Sequence, residues 1–244
     1  MGSEVRVSVV VPALNEAQNL PHVLPRIPDV YEVILVDGGS KDDTVEVARA
    51  LLPNVRVLRQ PGRGKGDALT CGFRSVRGDV VVMLDADGSA RPEEIPQFVQ
   101  VLQAGADFAK GSRNLEGGGS ADITRLRSLG NLALTRLVNL LFRSRYSDLC
   151  YGYNAFWADV LDKLALDADG FEIETQLNLR AVRARLGVVE VPSYEDSRIH
   201  GVSNLNAVRD GLRVLRTILH ERCRFPQRQQ VREQLSPGPA IDEL

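Results

Sequence analysis

The sequence is poor in the residues that build disulfide frameworks and zinc sites. Its three cysteines, Cys71, Cys150 and Cys223, are odd in number and far apart. This spacing argues against a disulfide framework and suits a reducing compartment. The three histidines are equally scattered, and no Cys/His spacing is typical of zinc ligands. Neither disulfides nor structural zinc is therefore expected to hold the fold.

Long hydrophobic runs and a strong net charge are also missing. The longest apolar-rich stretch, residues 126–142, is interrupted by polar residues and does not qualify as a membrane span. No basic stretch leading into a long apolar region follows Met1, so a signal sequence is not expected. The formal net charge of -2 gives no general attraction to nucleic acid. We expect a cytoplasmic protein without nucleic-acid partners, and peripheral contact with the inner face of a membrane is left open.

What is present is an alternation of apolar strands with segments of helical length. Such alternation indicates βαβ units and a mainly parallel sheet flanked by helices, so we predict an α/β fold. The predicted strands are 5–11, 32–36, 55–58, 80–84, 107–110, 153–157 and 188–191, and later helices are predicted at 172–186 and 205–219.

Residues 125–145 contain five arginines and no acid, in a chain that is slightly acidic overall. Asn131, Thr135, Asn139 and Arg143 recur every four residues and place one polar stripe on an otherwise apolar helix. So wide an apolar face is typical of a helix buried against the sheet. The alternative is a helix that contacts lipid or another subunit, with its arginines near anionic head groups. The two interpretations can hold for different faces.

Two carboxylates follow the fourth predicted strand. Asp85 and Asp87 come directly after residues 80–84, and Ser89 lies two residues further on. Ligands bind at the carboxyl edge of open α/β sheets, and two acids one residue apart can hold a hard divalent cation. An ordinary solvated turn is the competing interpretation of the Asp-x-Asp-Gly pattern.

Polar or basic turns follow other predicted strands. Residues 12–16 lack the glycine-rich turn of a dinucleotide site. Asp37 stands at the tip of the second strand, where a carboxylate can accept hydrogen bonds from a base or a sugar, or simply form a turn. Residues 62–67 lack the glycine spacing of a P-loop, but Lys65 is available for a phosphate.

Five segments carry a family resemblance when they are taken in order. They are Pro12-Ala13-Leu14-Asn15-Glu16, Asp37-Gly38-Gly39-Ser40, Gly64-Lys65-Gly66, Asp85-Ala86-Asp87 and Gly111-Ser112-Arg113. Together they resemble the inverting family 2 glycosyltransferases with the GT-A (Rossmann-like) fold, most closely the dolichol-phosphate mannose synthases and related polyprenyl-phosphate glycosyltransferases. The resemblance covers residues 5–219. It implies one domain, 1–222, with a nucleotide-sugar half at 1–111, an acceptor half at 112–222 and a disordered tail at 223–244.

The resemblance implies metal-dependent transfer of a hexose from a GDP- or UDP-linked sugar. Asp85 and Asp87 would coordinate Mg2+ or Mn2+ on the donor pyrophosphate, with Ser89 as a further ligand through water where many relatives have Gln. The implied catalytic residues are Asp85, Asp87, Arg113, Asp148 and Arg198. The residues implied for nucleotide-sugar binding are Pro12, Ala13, Leu14, Glu16, Asp37, Gly39, Lys65, Gly66, Asp85, Ala86, Asp87, Arg198 and Ser203.

The implied acceptor is a polyprenyl (dolichyl-type) phosphate. The residues that match its binding positions are Arg113, Arg125, Arg127 and Ser128. Such an acceptor is already ionised at pH 7, so its attack needs no strong general base. The alternative is a soluble family 2 enzyme that acts on a hydroxyl or amine of a small molecule, where Glu172 or Glu174 would matter as a base. The sequence also leaves a homodimer open.

Overall fold

A seven-stranded sheet in the order β3-β2-β1-β4-β7-β5-β8 forms the centre of the protein. The computed structural model describes residues 5–202 and 206–224. The strands are β1 (Val7–Ala13), β2 (Glu32–Asp37), β3 (Arg56–Arg59), β4 (Val80–Met83), β5 (Phe108–Ser112), β6 (Gly119–Ser120), β7 (Asn154–Trp157), β8 (Val188–Pro192) and β9 (Tyr194–Glu195). β7 runs antiparallel to β4 and β5, whereas the other neighbours in the large sheet are parallel. The mainly parallel α/β sheet is therefore confirmed.

Helices cover both faces of this sheet. They are α1 (Leu20–Val23), α2 (Thr44–Leu51), α3 (Lys65–Phe73), α4 (Ile95–Gln103), α5 (Arg125–Phe142), α6 (Leu161–Leu164), α7 (Ile173–Arg183) and α8 (Ala207–Cys223), with short 3-10 turns at Leu24–Arg26, Pro92–Glu94 and Ala158–Val160. Alternate residues of β1 pack on opposite faces of the sheet, because successive side chains of a strand point in opposite directions. Val9 joins the core cluster that contains Phe98 of α4, and Val10 joins the cluster that contains Leu69 of α3 and Leu177 of α7. Burial on both faces of the sheet thus explains why the sequences of its central strands are continuous apolar runs.

Several element boundaries differ from the sequence-based ones, and β4 and α7 end earlier than predicted. β1 and β5 each extend two residues further toward the ligand-binding edge than predicted, and α8 continues to Cys223. The domain boundary predicted at residue 222 therefore falls inside α8. The rest of the predicted tail, residues 225–244, lies outside the described residues, as does Ser203.

The polar stripe predicted on α5 faces the protein interior at its first three residues, whereas Arg143 follows the end of the helix and is exposed. Asn131 and Thr135 are 7% and 3% exposed. The Asn131 side-chain amide donates to Asp148 Oδ1 at 2.9 Å, and Thr135 Oγ1 accepts from the backbone N–H of Leu149 at 3.1 Å. The stripe is buried because it satisfies polar groups of the loop that follows the helix.

The expectation that the broad apolar face of α5 packs against the sheet is wrong. Leu126, Leu129 and Leu140 are 66%, 65% and 78% exposed. Only a narrower set of its apolar side chains, centred on Val138, is buried against α7 and α8. Within residues 5–202 and 206–224, no helix is long and apolar enough to cross a membrane.

Two helical glycines provide a matched test of the packing between α3 and the sheet. A Cβ at Gly72 would lie 2.4 Å from Val10 Cγ1, whereas a Cβ at Gly130 would meet nothing within 4 Å. We expect Gly72→Ala to lower the free energy of unfolding by about 1–3 kcal/mol through overpacking. Gly130→Ala should raise it by up to about 1 kcal/mol through helix propensity. Urea denaturation measures both changes, and equal effects would contradict this packing.

Candidate functional site

A cavity of about 470 Å³ lies at the carboxyl ends of β1, β2 and β4. The structure brings nine of the residues predicted for nucleotide-sugar binding to its wall. These are Pro12, Ala13, Leu14, Glu16, Lys65, Asp85, Ala86, Asp87 and Arg198. Gln60 and Phe171 also line the cavity, and the sequence carried no signal for either. Arg63 and Gly64 line it too, and their basic glycine turn was visible in the sequence.

Lys65 connects the first acid of the pair to α7. Its Nζ lies 2.7 Å from Asp85 Oδ1 and 2.6 Å from Glu174 Oε1. Burial disfavours the ammonium ion, but the two carboxylates outweigh that effect and raise the pKa of Lys65. Burial also raises the pKa of Glu174, against the opposing charge of Lys65. Lys65 is therefore a fixed positive charge in the cavity wall.

Arg198 makes the corresponding connection for the second acid. Its guanidinium lies 3.1 Å from Asp87 Oδ2 and also binds Glu16. Burial raises the pKa of Glu16, although hydrogen bonds from Asn19 and Arg198 oppose the shift. Ser89 donates its hydroxyl to Asp87 Oδ1 at 2.7 Å, so it orients this carboxylate. Asp85 and Asp87 thus each have a basic side chain of the protein beside them.

Three other residues predicted for nucleotide-sugar binding lie next to cavity-lining residues and do not line the cavity themselves. Asp37 is buried, and its carboxylate accepts hydrogen bonds from the backbone N–H groups of Gly39 and Ser40. Gly66 leaves no room for a side chain, because a Cβ there would lie 2.1 Å from the carbonyl oxygen of Ala168. Asp37, Gly39 and Gly66 fix the backbone around the site, and their contact with a nucleotide stays a prediction.

The donor set at Asp85 and Asp87 fits a hard divalent cation that keeps other positions free. Both side chains are partly exposed, at 36% and 22%, and both line the cavity. In the described part of the chain, no group of three or more Asp, Glu, His or Cys side chains is placed to hold a metal ion. Two carboxylates alone leave most of the coordination of Mg2+ or Mn2+ unfilled, so ligand oxygens would have to complete it.

A second cavity, of about 190 Å³, lies between α5, α7 and α8. Its wall is mostly apolar and carries the charged residues Arg113, Arg127, Glu174 and Asp210. We call this cavity the α5–α8 groove. The apolar residues in its wall are Ile123, Leu126, Leu134, Phe171, Ala207, Val208 and Val214. Burial raises the pKa of the Cys150 thiol in this wall to about 12, which argues against a nucleophilic role.

The two cavities meet at α7 and the loop before it. Phe171 lines both of them. Glu174 lines the groove, and its partner Lys65 lines the larger cavity. The two cavities are therefore neighbours, with Phe171 and the pair of Lys65 and Glu174 between them.

Arg113 is the most constrained of the predicted acceptor residues. It is 8% exposed, and its guanidinium forms a two-point contact with Asp148, at 2.7 and 2.9 Å, and a third contact with Glu195 at 2.9 Å. Burial would raise the pKa of Asp148, but the hydrogen bonds from Arg113 and the charge of Lys110 lower it. The structure thus places Arg113 and Asp148 together, in a buried ion pair that the sequence did not predict. Glu195 was missed because nothing in its short strand marks it.

The other predicted acceptor residues lie at the start of α5. Arg127 lines the groove and pairs with Asp122 at 3.0 Å. Arg125 and Ser128 are exposed and do not line it. Of the predicted acceptor residues, the structure brings Arg113 and Arg127 to one cavity, and the roles of all four stay predictions.

Comparison with known proteins gives a consistent picture. Residues 8–165 match the family model described as Glycosyl transferase family 2. The chain is 34% identical over 216 residues to polyprenol monophosphomannose synthase from Mycolicibacterium smegmatis, covering 82% of this chain and 81% of that protein. It is 33% identical over 215 residues to undecaprenyl-phosphate mannosyltransferase from Micrococcus luteus, covering 83% and 88%.

A solved structure is similar over nearly the whole chain. It is glucosyl-3-phosphoglycerate synthase from Mycobacterium tuberculosis in complex with Mn2+, UDP-glucose and phosphoglyceric acid. The TM-score is 0.71 at 26% sequence identity, and the match covers 93% of this chain and 82% of that one.

The buried pair of Arg113 and Asp148 generates a stability prediction. We expect Asp148→Asn to lower the free energy of unfolding by about 3–5 kcal/mol, because it leaves a buried guanidinium short of a charged partner. Glu93→Gln removes the partner of Arg26 in an exposed pair and should cost less than about 1 kcal/mol. Urea denaturation at neutral pH compares the two variants. A loss at Asp148 as small as that at Glu93 would show that the pair adds little to stability.

Proposed function

The chain belongs to glycosyl transferase family 2, and on that basis we propose that it transfers a hexose from a GDP- or UDP-linked sugar to a polyprenyl phosphate. It is a glycosyltransferase with the GT-A fold. The single observation that carries the proposal is the position of two neighbouring cavities. One has Asp85 and Asp87 in its wall, and the other has a mostly apolar wall that carries Arg113 and Arg127 together with Glu174 and Asp210.

The larger cavity supports the donor half of the proposal. Its volume and its mixed wall suit a nucleotide sugar, with Asp85 and Asp87 at the position of the diphosphate. A divalent cation held there would neutralise the departing nucleoside diphosphate as a Lewis acid. The similar synthase from Mycobacterium tuberculosis was crystallised with Mn2+ and UDP-glucose, which supports the use of a divalent cation here.

The α5–α8 groove supports the acceptor half. A polyprenyl phosphate has an apolar chain and an anionic head, and the groove pairs an apolar wall with Arg113 and Arg127. The name of the relative from Micrococcus luteus contains undecaprenyl phosphate, and that of the relative from Mycolicibacterium smegmatis contains polyprenol monophosphomannose. Because such an acceptor resides in a bilayer, the proposal places the enzyme at a membrane surface as a peripheral protein.

The proposed reaction is a direct in-line displacement. An oxygen of the acceptor phosphate attacks the anomeric carbon, the bond from that carbon to the diphosphate oxygen breaks, and the configuration inverts. Lys65 and Arg198 are placed to exchange their carboxylate partners for the charge that develops on the diphosphate. No residue needs to remove a proton, because the acceptor phosphate is already ionised.

The alternative is transfer to a hydroxyl of a small molecule. It is favoured by the phosphoglyceric acid in the similar synthase structure and by the position of Glu174 at the junction of the cavities. A hydroxyl must lose its proton as it attacks, and the buried Glu174 carboxylate is the candidate base. Burial raises its pKa, which makes the carboxylate a stronger base.

One assay separates these functions. The purified protein is incubated with a panel of GDP- and UDP-sugars, with Mg2+ or Mn2+, and with either short polyprenyl phosphates or phosphoglyceric acid. Formation of a lipid-linked hexose supports the proposal. Transfer to phosphoglyceric acid with no glycolipid from any donor supports the alternative and contradicts the proposal.

Asp87 should be required for turnover. We expect Asp87→Ala to lower kcat by about a hundredfold or more, comparable to the loss of a group that stabilises transition-state charge. The matched control is Asp159→Ala, which changes an exposed aspartate on the 3-10 turn at Ala158–Val160. Turnover is measured across a Mn2+ titration, and an unchanged metal dependence in Asp87→Ala would refute the metal assignment.

Arg127 should act on the acceptor and not on the donor. We expect Arg127→Ala to raise the KM for polyprenyl phosphate by about ten- to a hundredfold, the effect of losing one charged hydrogen bond. The Kd for the nucleotide sugar should stay unchanged, because Arg127 lines the groove and not the larger cavity. Arg26→Ala, in an exposed ion pair elsewhere, is the control. Equal losses of donor and acceptor affinity would remove Arg127 from the acceptor site.

A further inference from the structure

The charged side chains in the wall of the α5–α8 groove all have a partner of opposite charge within the protein. The pairs are Arg113 with Asp148 and Glu195, Arg127 with Asp122, Glu174 with Lys65, and Asp210 with Arg209 and Arg213. Among the groove-lining residues that the structure describes, an anion therefore finds no unpaired arginine. It can bind one only by taking the place of a carboxylate.

Arg113 has two carboxylate partners, and Asp148 is the more firmly held of them. Asp148 accepts hydrogen bonds from Nε and Nη2 of Arg113 and a further one, at 3.2 Å, from the backbone N–H of Arg113. The side-chain amide of Asn131 donates to it as well. The Asp148 side chain is 0% exposed, so separating it from Arg113 would leave a buried charge without a partner. Asp148 is therefore a permanent partner of Arg113.

Glu195 is held by fewer contacts. Its Oε2 atom accepts one hydrogen bond from Arg113 Nη1, at 2.9 Å, and one from the hydroxyl of Ser120. Its side chain is 11% exposed, and it ends β9, a strand of two residues that pairs with β6. A change of the Glu195 rotamer would free Nη1 of Arg113 and leave the two-point contact with Asp148 intact. Glu195 is thus the partner that a ligand can replace.

We propose that Glu195 is an exchangeable counterion, which neutralises Arg113 while the groove is empty and is displaced from Nη1 by the phosphate of the acceptor. Guanidinium groups donate to phosphate oxygens in the same geometry as to carboxylate oxygens. The phosphate can therefore replace Glu195 without leaving the buried guanidinium short of a charged partner. Glu195 returns to Nη1 when the product leaves.

The exchange has a quantitative consequence for both acceptor and product. A ligand that binds only after Glu195 has turned away has an apparent Kd equal to its intrinsic Kd divided by the fraction of protein in that state. This fraction is a property of the protein, so it weakens the binding of a phosphate monoester and of a phosphodiester product by the same factor. Release of product limits turnover in many enzymes, and weaker product binding favours it.

The inference deepens the proposed function and rests on it for the identity of the acceptor. The exchange itself requires only that a phosphate group binds beside Arg113. Polyprenyl phosphate and phosphoglyceric acid both carry such a group. Binding experiments without any transfer reaction therefore test the exchange separately from the function.

Calorimetric titration of the full chain measures the exchange with two matched probes, geranyl phosphate and its methyl diester. Glu195→Gln keeps the size of the side chain and removes its charge. We expect it to lower the Kd of both probes by about tenfold, the effect of losing one charged hydrogen bond that competes with the ligand. Glu195→Asp keeps the charge but has a shorter reach to Arg113, so it should lower both values by a smaller factor.

Asp196→Asn is the matched control. It removes the charge of the neighbouring carboxylate, which pairs with Arg91 and not with Arg113, and should leave both Kd values unchanged. If Glu195 only repelled anions at a distance, Asp196→Asn would also tighten binding. The monoester would then gain more than the diester, because it carries more negative charge. Equal gains for the two probes are specific to exchange, and a much larger gain for the monoester contradicts it.

An unchanged or raised Kd in Glu195→Gln overturns the proposal, because Glu195 would then support phosphate binding or have no part in it. Circular dichroism verifies that the variants fold, and Glu195→Asp decides the question if Glu195→Gln does not. Titration with phosphoglyceric acid separates the two sources of phosphate. If only this ligand binds, and binds more tightly in Glu195→Gln, the exchange is supported and the proposed acceptor is contradicted. Failure of the folded variants to bind any of the three ligands overturns the exchange.

Discussion

The two carboxylates at the end of β4 need positive charge beside them, and this requirement organises the surrounding loops. Lys65, at the start of α3, joins Asp85 to Glu174 of α7. Arg198, in the segment after β9, joins Asp87 to the turn after β1 through Glu16. Partly buried ion pairs of this kind are stable only when their geometry is good and their remaining hydrogen bonds are met. Segments distant in sequence are thus tied to one edge of the sheet.

The balance of acidic and basic side chains at this edge of the sheet explains how it can accept a highly charged ligand. Four carboxylates, those of Asp85, Asp87, Glu16 and Glu174, pair with two basic side chains, Lys65 and Arg198, so acids outnumber bases in these ion pairs. A divalent cation would offset that excess, and a diphosphate could then take the two basic side chains as partners. Because these charges are partly buried, each interaction is stronger than it would be in bulk water. We therefore expect cation and donor to strengthen each other's binding.

Much of this edge could be predicted from the sequence, because parallel strands place the residues that follow them side by side. The apolar runs before Asp37 and Asp85 located those strand ends to within two residues. The contacts between distant segments could not be predicted in this way. The sequence placed Glu174 near the start of a predicted helix, and only the packing of α7 on α3 shows that its side chain contacts Lys65. The helical periodicity of the sequence also indicates that α5 has a polar and an apolar face, but it does not indicate which of the two is buried in the protein. The loop from Tyr146 to Cys150 decides that point, since its polar groups require the amide of Asn131.

The place of β7 in the sheet has a consequence for how the fold is assembled. β7 comes late in the chain, yet it lies between β4 and β5 and pairs with both. When the first half leaves the ribosome, β4 and β5 therefore each expose an open edge that no nearby segment can fill. Unpaired strand edges favour aggregation, so the nascent chain is vulnerable until β7 and then β8, which also pairs with β5 and ends at residue 192, have emerged. The same arrangement prevents a simple exchange of halves between related proteins. A chimaera joined at residue 111 would need compatible side chains along both borders of β7, whereas exchange of whole surface loops would leave the sheet intact.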